Sequence, residues 1–592
     1  MESSTTCDVL IVGAGMAGLT AAGYLSKAGL KVLICEKEKK TGGLVNSFEY
    51  KGFVFDGGIR GIENSGIVSP MLKQLGIEVE FLANRVSLGI AKDVIGIESK
   101  GSLVAYQDLL EKYFPENKPD IAGIVREIRK VMEYMDILYG IDNPLFMDLT
   151  NLEYVSKTIM PWILKYVLTL PKITKLNLPV EEYLAKFSAN QSLIDIIAQH
   201  FFQKTPASFA LSYFSLYLDY RYPKGSTGSL AQAMEQFILG KSGEIRKETG
   251  ITAVDPGRNQ AIDSMGNAYQ YRKLIWAADL KTLYRLIDLA SLTNRKVVRN
   301  IQAKQEELSG KIGGDSIFTL YLTINLDKAY FARVSNPHFF YTPLISGLSH
   351  ASLDELRNHD RKANSGFIND KILIVAWLKR HLDYTTYEIS CPVLRDSSLA
   401  PQDQTGLIIS CLFDYSLTSH IQAMGWYEEF RILLTEHIID VLDASIYPGL
   451  KAAVIDSFTS TPLTIERISG NSEGAITGWA FTNDFMPAVN SLPKVASSVL
   501  TPIPNTYQAG QWTYSPSGLP ISILTGKLAA DRVLKDLKEA RSSVCSVPKP
   551  CGLSPDSRLG RRVFHRWSGE RTGHSHLPFQ ERPPDSRALP QK

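Results

Sequence analysis

Cys7-Asp8-Val9-Leu10-Ile11-Val12 runs straight into Gly13-Ala14-Gly15-Met16-Ala17-Gly18, and this stretch decides the fold. The apolar run predicts a strand over residues 8–12, the residues after the glycines a helix over 19–28, and residues 31–36 a second strand. Glu36 closes that second strand 18 residues after the last glycine. Each glycine then has its own task. Gly13 turns the chain tightly, Gly15 lets backbone approach a pyrophosphate, and Gly18 lets the helix pack closely on the strand. The helix N-terminus points free N–H groups and a partial positive charge at the same pyrophosphate, with Ala14, Met16 and Ala17 completing the candidate contacts.

Glu36 narrows the ligand. A carboxylate there accepts hydrogen bonds from ribose hydroxyls and repels a 2′-phosphate, which favours FAD or NAD over NADP. Lys37 follows, and a glycine pair, Gly42-Gly43, comes shortly after. Strand, GxGxxG, strand, Glu and Gly-Gly together resemble the signature of the FAD-dependent amine-oxidase-like superfamily. That resemblance implies an α/β fold: a Rossmann-type FAD-binding domain, a parallel sheet with helices, interleaved with a substrate domain of mixed sheet plus helices. It implies FAD as cofactor, with Lys37, Gly42, Gly43 and Leu44 beside it.

Bulk composition fits an ordinary globular protein: 592 residues, 44% hydrophobic and 21% charged. The net charge of +3 is unevenly spread. Residues 541–592 hold ten Lys or Arg against four Asp or Glu, which leaves −3 for the other 540 and no electrostatic case for a nucleic-acid partner. Six cysteines (Cys7, Cys35, Cys391, Cys411, Cys545, Cys551) have no CxxC or metal-ligand spacing, which fits a reducing compartment, and no metal site is expected. No run of 18 apolar residues occurs, and the apolar start lacks the basic leading region of a signal peptide. The expected location is cytoplasmic, with room for peripheral membrane contact.

Further along, Phe53-Val54-Phe55-Asp56-Gly57-Gly58-Ile59 reads as a short strand ending in a glycine turn. The resemblance implies that Gly57, Gly58 and Ile59 approach the flavin ring. Residues up to about 220 look mainly helical, and 120–139 has a clear helical period. A turn at 222–229, a helix over 230–239 and strands over 243–247, 250–254 and 269–276 resemble the return of the chain into the flavin domain. In family terms Val254 passes beside the adenine and Ala277 ends the next sheet strand. Runs at 316–326, 372–378 and 406–412 read as strands, and 427–442 as a helix.

Pro462-Leu463-Thr464-Ile465-Glu466-Arg467, with Gly470, Gly474 and Gly478 after it, resembles the carotenoid desaturase, carotenoid isomerase and retinol saturase branch. Asn505-Thr506-Tyr507-Gln508-Ala509-Gly510-Gln511-Trp512, then Ser517-Gly518-Leu519-Pro520-Ile521 and a helix over 522–534, resembles the loop that closes over the ribityl chain. This implies contacts from Gly510, Gln511, Gly518, Leu519, Pro520 and Ile521. Many members carry an acidic residue where Gln511 stands. The resulting division is FAD-binding segments 1–95, 223–299 and 476–540, a helical substrate segment 96–222, a mixed-sheet substrate segment 300–475, and a disordered basic tail over 541–592.

The chemistry follows from the cofactor: hydride moves between a substrate C–H and the flavin, while the protein binds and orients. Gly310-Lys311-Ile312-Gly313-Gly314 lacks the strand-then-helix setting of a second dinucleotide cradle, and the electron acceptor stays open. Residues 154–170 are strongly apolar with Lys157, Lys165, Lys172 and Lys175 in or beside them. Such a helix either lies in a membrane interface or is buried in the substrate domain. Arg60 and Glu63, just after Gly57-Gly58, are the candidate catalytic pair, orienting substrate or shuttling a proton; a surface ion pair or core hydrogen bond also accounts for them. The family resemblance points to a lipophilic isoprenoid or carotenoid polyene whose carbon–carbon bonds are desaturated, saturated or isomerised. Two alternatives share the scaffold: a flavin amine oxidase, and a non-enzymatic prenyl-lipid carrier of the GDP-dissociation-inhibitor type.

Overall fold

Val9, Leu10 and Ile11 are wholly buried, so both faces of their strand need cover, and the chain supplies it by placing Thr5–Val12 inside a seven-stranded sheet. This computed structural model describes residues 5–358 and 366–545. Val32–Cys35 pairs parallel to one side of the first strand, with Val9 opposite Val32, and Ala268–Trp276 pairs parallel to the other, with Val9 opposite Lys273. Glu244–Arg246 and Thr506–Gln508 extend the parallel part at either side. Gln260–Asp263 and Ile251–Asp255 continue it as an antiparallel meander. The five parallel strands come from three separated stretches of chain, so the sheet closes only when residues near 5, 270 and 506 meet.

The first helix, Met16–Lys27, begins three residues earlier than its apolar period indicates, because Gly15 caps it. It packs in one apolar cluster with Leu230, Met234, Ile523 and Leu524 from two later helices. At Gly18 a side-chain carbon would overlap the carbonyl oxygen of Gly13 and lie 3.3 Å from the methyl of Ala277. Only glycine lets the helix start this close to the strand ends.

The second sheet also has seven strands, in the order Val454–Ser460, Ser316–Ile324, Thr405–Phe413, Tyr387–Ser390, His338–Thr342, Val86–Ile90, Asp93–Ile97. It is mixed: His338–Thr342 runs parallel to Val86–Ile90 and the other pairings are antiparallel. Helices Lys371–Tyr384 and Tyr427–Ser445 bury an apolar face on it. Its strand Val86–Ile90 lies before position 95 and Asp93–Ile97 crosses it, so the sheet takes chain from within the segment expected to be nucleotide-binding.

Two local expectations are corrected. The apolar run 372–378 is not a strand but part of helix Lys371–Tyr384. Asp370 caps it by accepting from the N–H groups of Ile372 and Leu373, and the buried Ile374, Trp377, Leu378 and Leu382 form a helical stripe. The last helix starts at Leu519, so Leu519, Pro520 and Ile521 belong to its first turn rather than to a loop, and proline is tolerated there because its missing N–H has no intrahelical partner to lose. Gly310–Gly314 lies between helix Arg295–Leu308 and strand Ser316–Ile324, the reverse of a dinucleotide cradle. Of the tail expected as disordered over 541–592, residues 541–545 instead continue helix Leu519–Cys545, and 546–592 lie outside the described residues.

Adding one methyl at the helix start tests this packing. Gly18→Ala is expected to lower stability by about 1–3 kcal/mol, read as a shift of the urea midpoint at unchanged slope.

Candidate cofactor and substrate site

A cavity of about 850 Å³ opens where the two sheets meet the glycine turns. One end is a dinucleotide cradle. Gly13, Gly15, Met16 and Ala17 line it, and so do Glu36, Lys37, Gly42, Gly43 and Leu44. A side-chain carbon placed on Gly15 meets nothing within 4 Å, so the N-terminus of the first helix faces open space. That opening, the unpaired N–H groups of the helix and the lack of an acidic residue in its first turn suit a pyrophosphate. From the far side, Gly510, Gln511, Gly518 and Leu519 line the same cavity, and a second helix begins there. Ser517 adds a buried hydroxyl with no hydrogen-bond partner among the described residues. These residues fit FAD, which places an anion near the helix starts and hydroxyls along its chain.

Glu36 does more than wait for a ribose. Its Oε2 accepts from the Ala14 N–H at 2.6 Å and its Oε1 from the Glu38 N–H at 3.0 Å, so the carboxylate also shapes the glycine turn. Burial pushes its pKa up, and these two backbone donors work against that rise. Ala14 therefore contributes through Glu36 and is not on the cavity wall. Gly18 is also off the wall, since its role is helix packing. Pro520 and Ile521 lie beyond the lining because the helix has already turned them away. Val254 is wholly buried in an apolar cluster under the antiparallel meander, and Thr249, Gly250 and Ile251 line the cavity in its place.

The other end is an aromatic chamber. Gly57, Gly58 and Ile59 lead into it, and Phe202, Phe209, Tyr213, Leu216, Tyr220 and Tyr321 form much of its wall. Both candidate catalytic residues face it. Arg60 is only 3% exposed: its Nη1 donates to Glu388 Oε2 at 3.0 Å and its Nη2 to Ser410 Oγ at 2.6 Å. Ser410 pairs in turn with Thr319 at 2.7 Å. Glu388 has His338 Nε2 on its other oxygen at 2.9 Å. Burial alone would raise the Glu388 pKa, but Arg60 and His338 outweigh it and hold the carboxyl at about 2. Glu63 is the opposite case. Burial, with Asp219 nearby, lifts it to about 7, so it is a carboxyl able to take or give a proton near neutrality.

Glu388, His338, Ser410 and Thr319 were not found from sequence. They stand alone on sheet strands, in no motif, and reach Arg60 only because the second sheet packs against the loop after Gly58. Arg60 is thus tied to Glu388 and Ser410, and among the described residues no hydrogen bond or ion pair joins it to Glu63.

Comparisons agree with this geometry. The profile of the NAD(P)-binding Rossmann-like domain matches residues 11–75. Prolycopene isomerase from the carrot Daucus carota is 22% identical over 90% of this chain and 80% of its own. The lycopene-forming phytoene desaturase of Pantoea ananas is 22% identical over 89% of this chain and 99% of its own. Among solved structures, putrescine oxidase superposes with a TM-score of 0.55 at 14% identity, over 90% of this chain and all of its own. The fold and the cradle define an FAD-dependent oxidoreductase with a Rossmann-type nucleotide domain. Its sequence is similar over nine tenths of its length to carotenoid desaturases and isomerases.

Glu63 gives a pH test. Its folded pKa of about 7 lies above the ordinary 4.5, so the native state holds the extra proton between those values and stability falls as pH rises through them. Glu63→Gln removes that loss: its stability relative to wild type should grow from about pH 5 to about pH 8, measured as urea midpoints.

Proposed function

We propose that this protein acts on the carbon–carbon bonds of a lipophilic isoprenoid or carotenoid-type polyene, by desaturation, saturation or cis–trans isomerisation. The observation that carries the reading is the single cavity that joins the dinucleotide cradle to an aromatic chamber. Relatives that act on such chains match nearly the whole length of this protein. FAD bound in the cradle supplies the hydride acceptor or donor. The chain's own part is to bind and orient. Tyr213, Tyr220, Tyr321, Phe202 and Phe209 offer apolar faces to a polyene and exclude water from it. Glu63 holds or releases one proton at its carboxyl, and Arg60, fixed by Glu388 and Ser410, positions the chamber wall. The amine-oxidase reading is less well supported, since Glu388, a cavity carboxylate suited to an ammonium group, already pairs with Arg60. The carrier reading leaves the open pyrophosphate cradle without a purpose.

A route for the substrate is supported by helix Met160–Thr174. Trp162 donates from its indole nitrogen to the Ile137 carbonyl at 2.7 Å and lies tilted against Tyr166, 4.8 Å between ring centres, which turns one side of the helix inward. The other side presents Met160, Ile163, Leu164, Val167 and Leu168, a stripe at helical spacing that is 41–64% exposed. Exposed Lys157, Lys165, Lys172 and Lys175 flank it. An apolar stripe facing outward with lysines beside it suits the surface of an anionic bilayer. No described helix is long and apolar enough to cross a membrane.

Two measurements check the reading. The purified protein should show flavin absorption bands, and under anaerobic conditions or in steady-state assay a carotenoid precursor in vesicles, but not putrescine, should be turned over. A protein without flavin bands even after added FAD would overturn it. Replacing the stripe in a Leu164→Glu/Leu168→Glu variant should weaken binding to anionic vesicles at least about tenfold in a flotation assay, with flavin content unchanged.

A further inference from the structure

The aromatic chamber contains a donor and an acceptor that a pure hydrocarbon cannot satisfy. The Arg60 side chain is 3% exposed, and while both its Nη atoms are engaged, its Nε has no hydrogen-bond partner among the described residues. The His338 side chain is 2% exposed, sits between Phe340 at 5.0 Å and Tyr220 at 5.4 Å, and leaves its Nδ1 unpartnered in the same sense. Both residues line the cavity. A buried donor or acceptor left unmet costs free energy, so filling this end with hydrocarbon alone would leave that cost in place.

Charge selects what can fill it. Glu388 stands beside both residues, is 29% exposed, and carries a full negative charge that Arg60 already matches. The imidazole is held neutral: burial lowers its pKa, Glu388 works against that, and Arg395 and Arg60 add to it. A carboxylate ligand would meet the charge of Glu388, and a cation would compete with Arg60. A neutral hydroxyl meets neither problem: it can donate to the imidazole Nδ1, which is bare because the ring's one N–H lies on Nε2 against the Glu388 carboxylate, and it can accept from Arg60 Nε.

We propose that the chamber end at His338 and Arg60 is a specificity site for a hydroxyl on the isoprenoid ligand. This rests on the polyene reading above and deepens it. His338 is the specificity-determining residue, accepting at Nδ1, and Arg60 holds Glu388 and supplies the donor at Nε.

The test compares probes of equal carbon number with the FAD-loaded full chain: farnesol, farnesal, β-farnesene and farnesoic acid, titrated from detergent micelles and read by tryptophan fluorescence. Farnesol should bind about tenfold tighter than β-farnesene, farnesal, which cannot donate to Nδ1, less tightly than farnesol, and farnesoic acid no tighter than farnesol. His338→Leu should abolish the difference without weakening β-farnesene, and His338→Asn, which keeps a neutral polar group, should retain part of it. Equal binding of farnesol and β-farnesene overturns the proposal, as does tightest binding of the acid. A His338→Leu protein with an altered flavin spectrum or FAD content also overturns it, because the imidazole would then serve the cofactor. Failure of every isoprenoid to bind would instead sink the polyene reading itself.

Discussion

The Arg60–Glu388 ion pair is the interaction on which the site depends. Arg60 belongs to the loop that leaves the nucleotide cradle, and Glu388 stands on the second sheet beside Ser410 and Thr319. Its guanidinium is almost wholly buried, so removing either partner would strand a charge, a change that typically costs about 3–5 kcal/mol. Such a pair stabilises little compared with an apolar substitute, but it permits only one register between loop and sheet. The cradle and the chamber are therefore held in one cavity.

The same economy recurs at Glu36. One carboxylate accepts from two backbone N–H groups of two different turns while facing the cavity where a ribose belongs. The turn that binds a pyrophosphate and the residue that selects the sugar are thus one hydrogen-bonded unit. Further back, Asp56 receives the hydroxyls of Tyr222 and Thr227 and the Thr227 N–H, which ties the strand before Gly57 to the start of a helix some 170 residues later. Both carboxylates are buried, and both have their pKa raised by that burial against the pull of these donors. These two carboxylates, taken out of water, are used to fix loops.

How much was legible beforehand depended on whether a constraint is local in sequence. The glycine turn, Glu36, Gly42-Gly43 and the Gly510–Gly518 region were readable, because a close backbone approach demands glycine at fixed spacing within a few residues. Helix Lys371–Tyr384 was misread because its N-terminal residues Ile372 and Leu373 are apolar yet 79% and 55% exposed, which hides the buried stripe behind them. Val254 was misplaced because nothing local distinguishes a strand residue facing a ligand from one facing the core. The apolar tract at 154–170 was ambiguous for a related reason: composition says that a stripe exists, not which way it points.

By itself, then, the sequence determined the nucleotide half: a parallel-sheet entry, a helix start open to an anion, and a carboxylate placed for a ribose. These follow from sterics and hydrogen bonding over spans of a few tens of residues. Tertiary structure alone decided the chamber. It brought Glu388, His338 and Ser410 to Arg60 across more than 270 residues of chain, set Glu63 apart with a pKa near neutrality, and turned the Met160–Thr174 stripe outward. Sheet pairing between distant strands made those choices, and no short stretch of sequence encodes which distant strand will arrive.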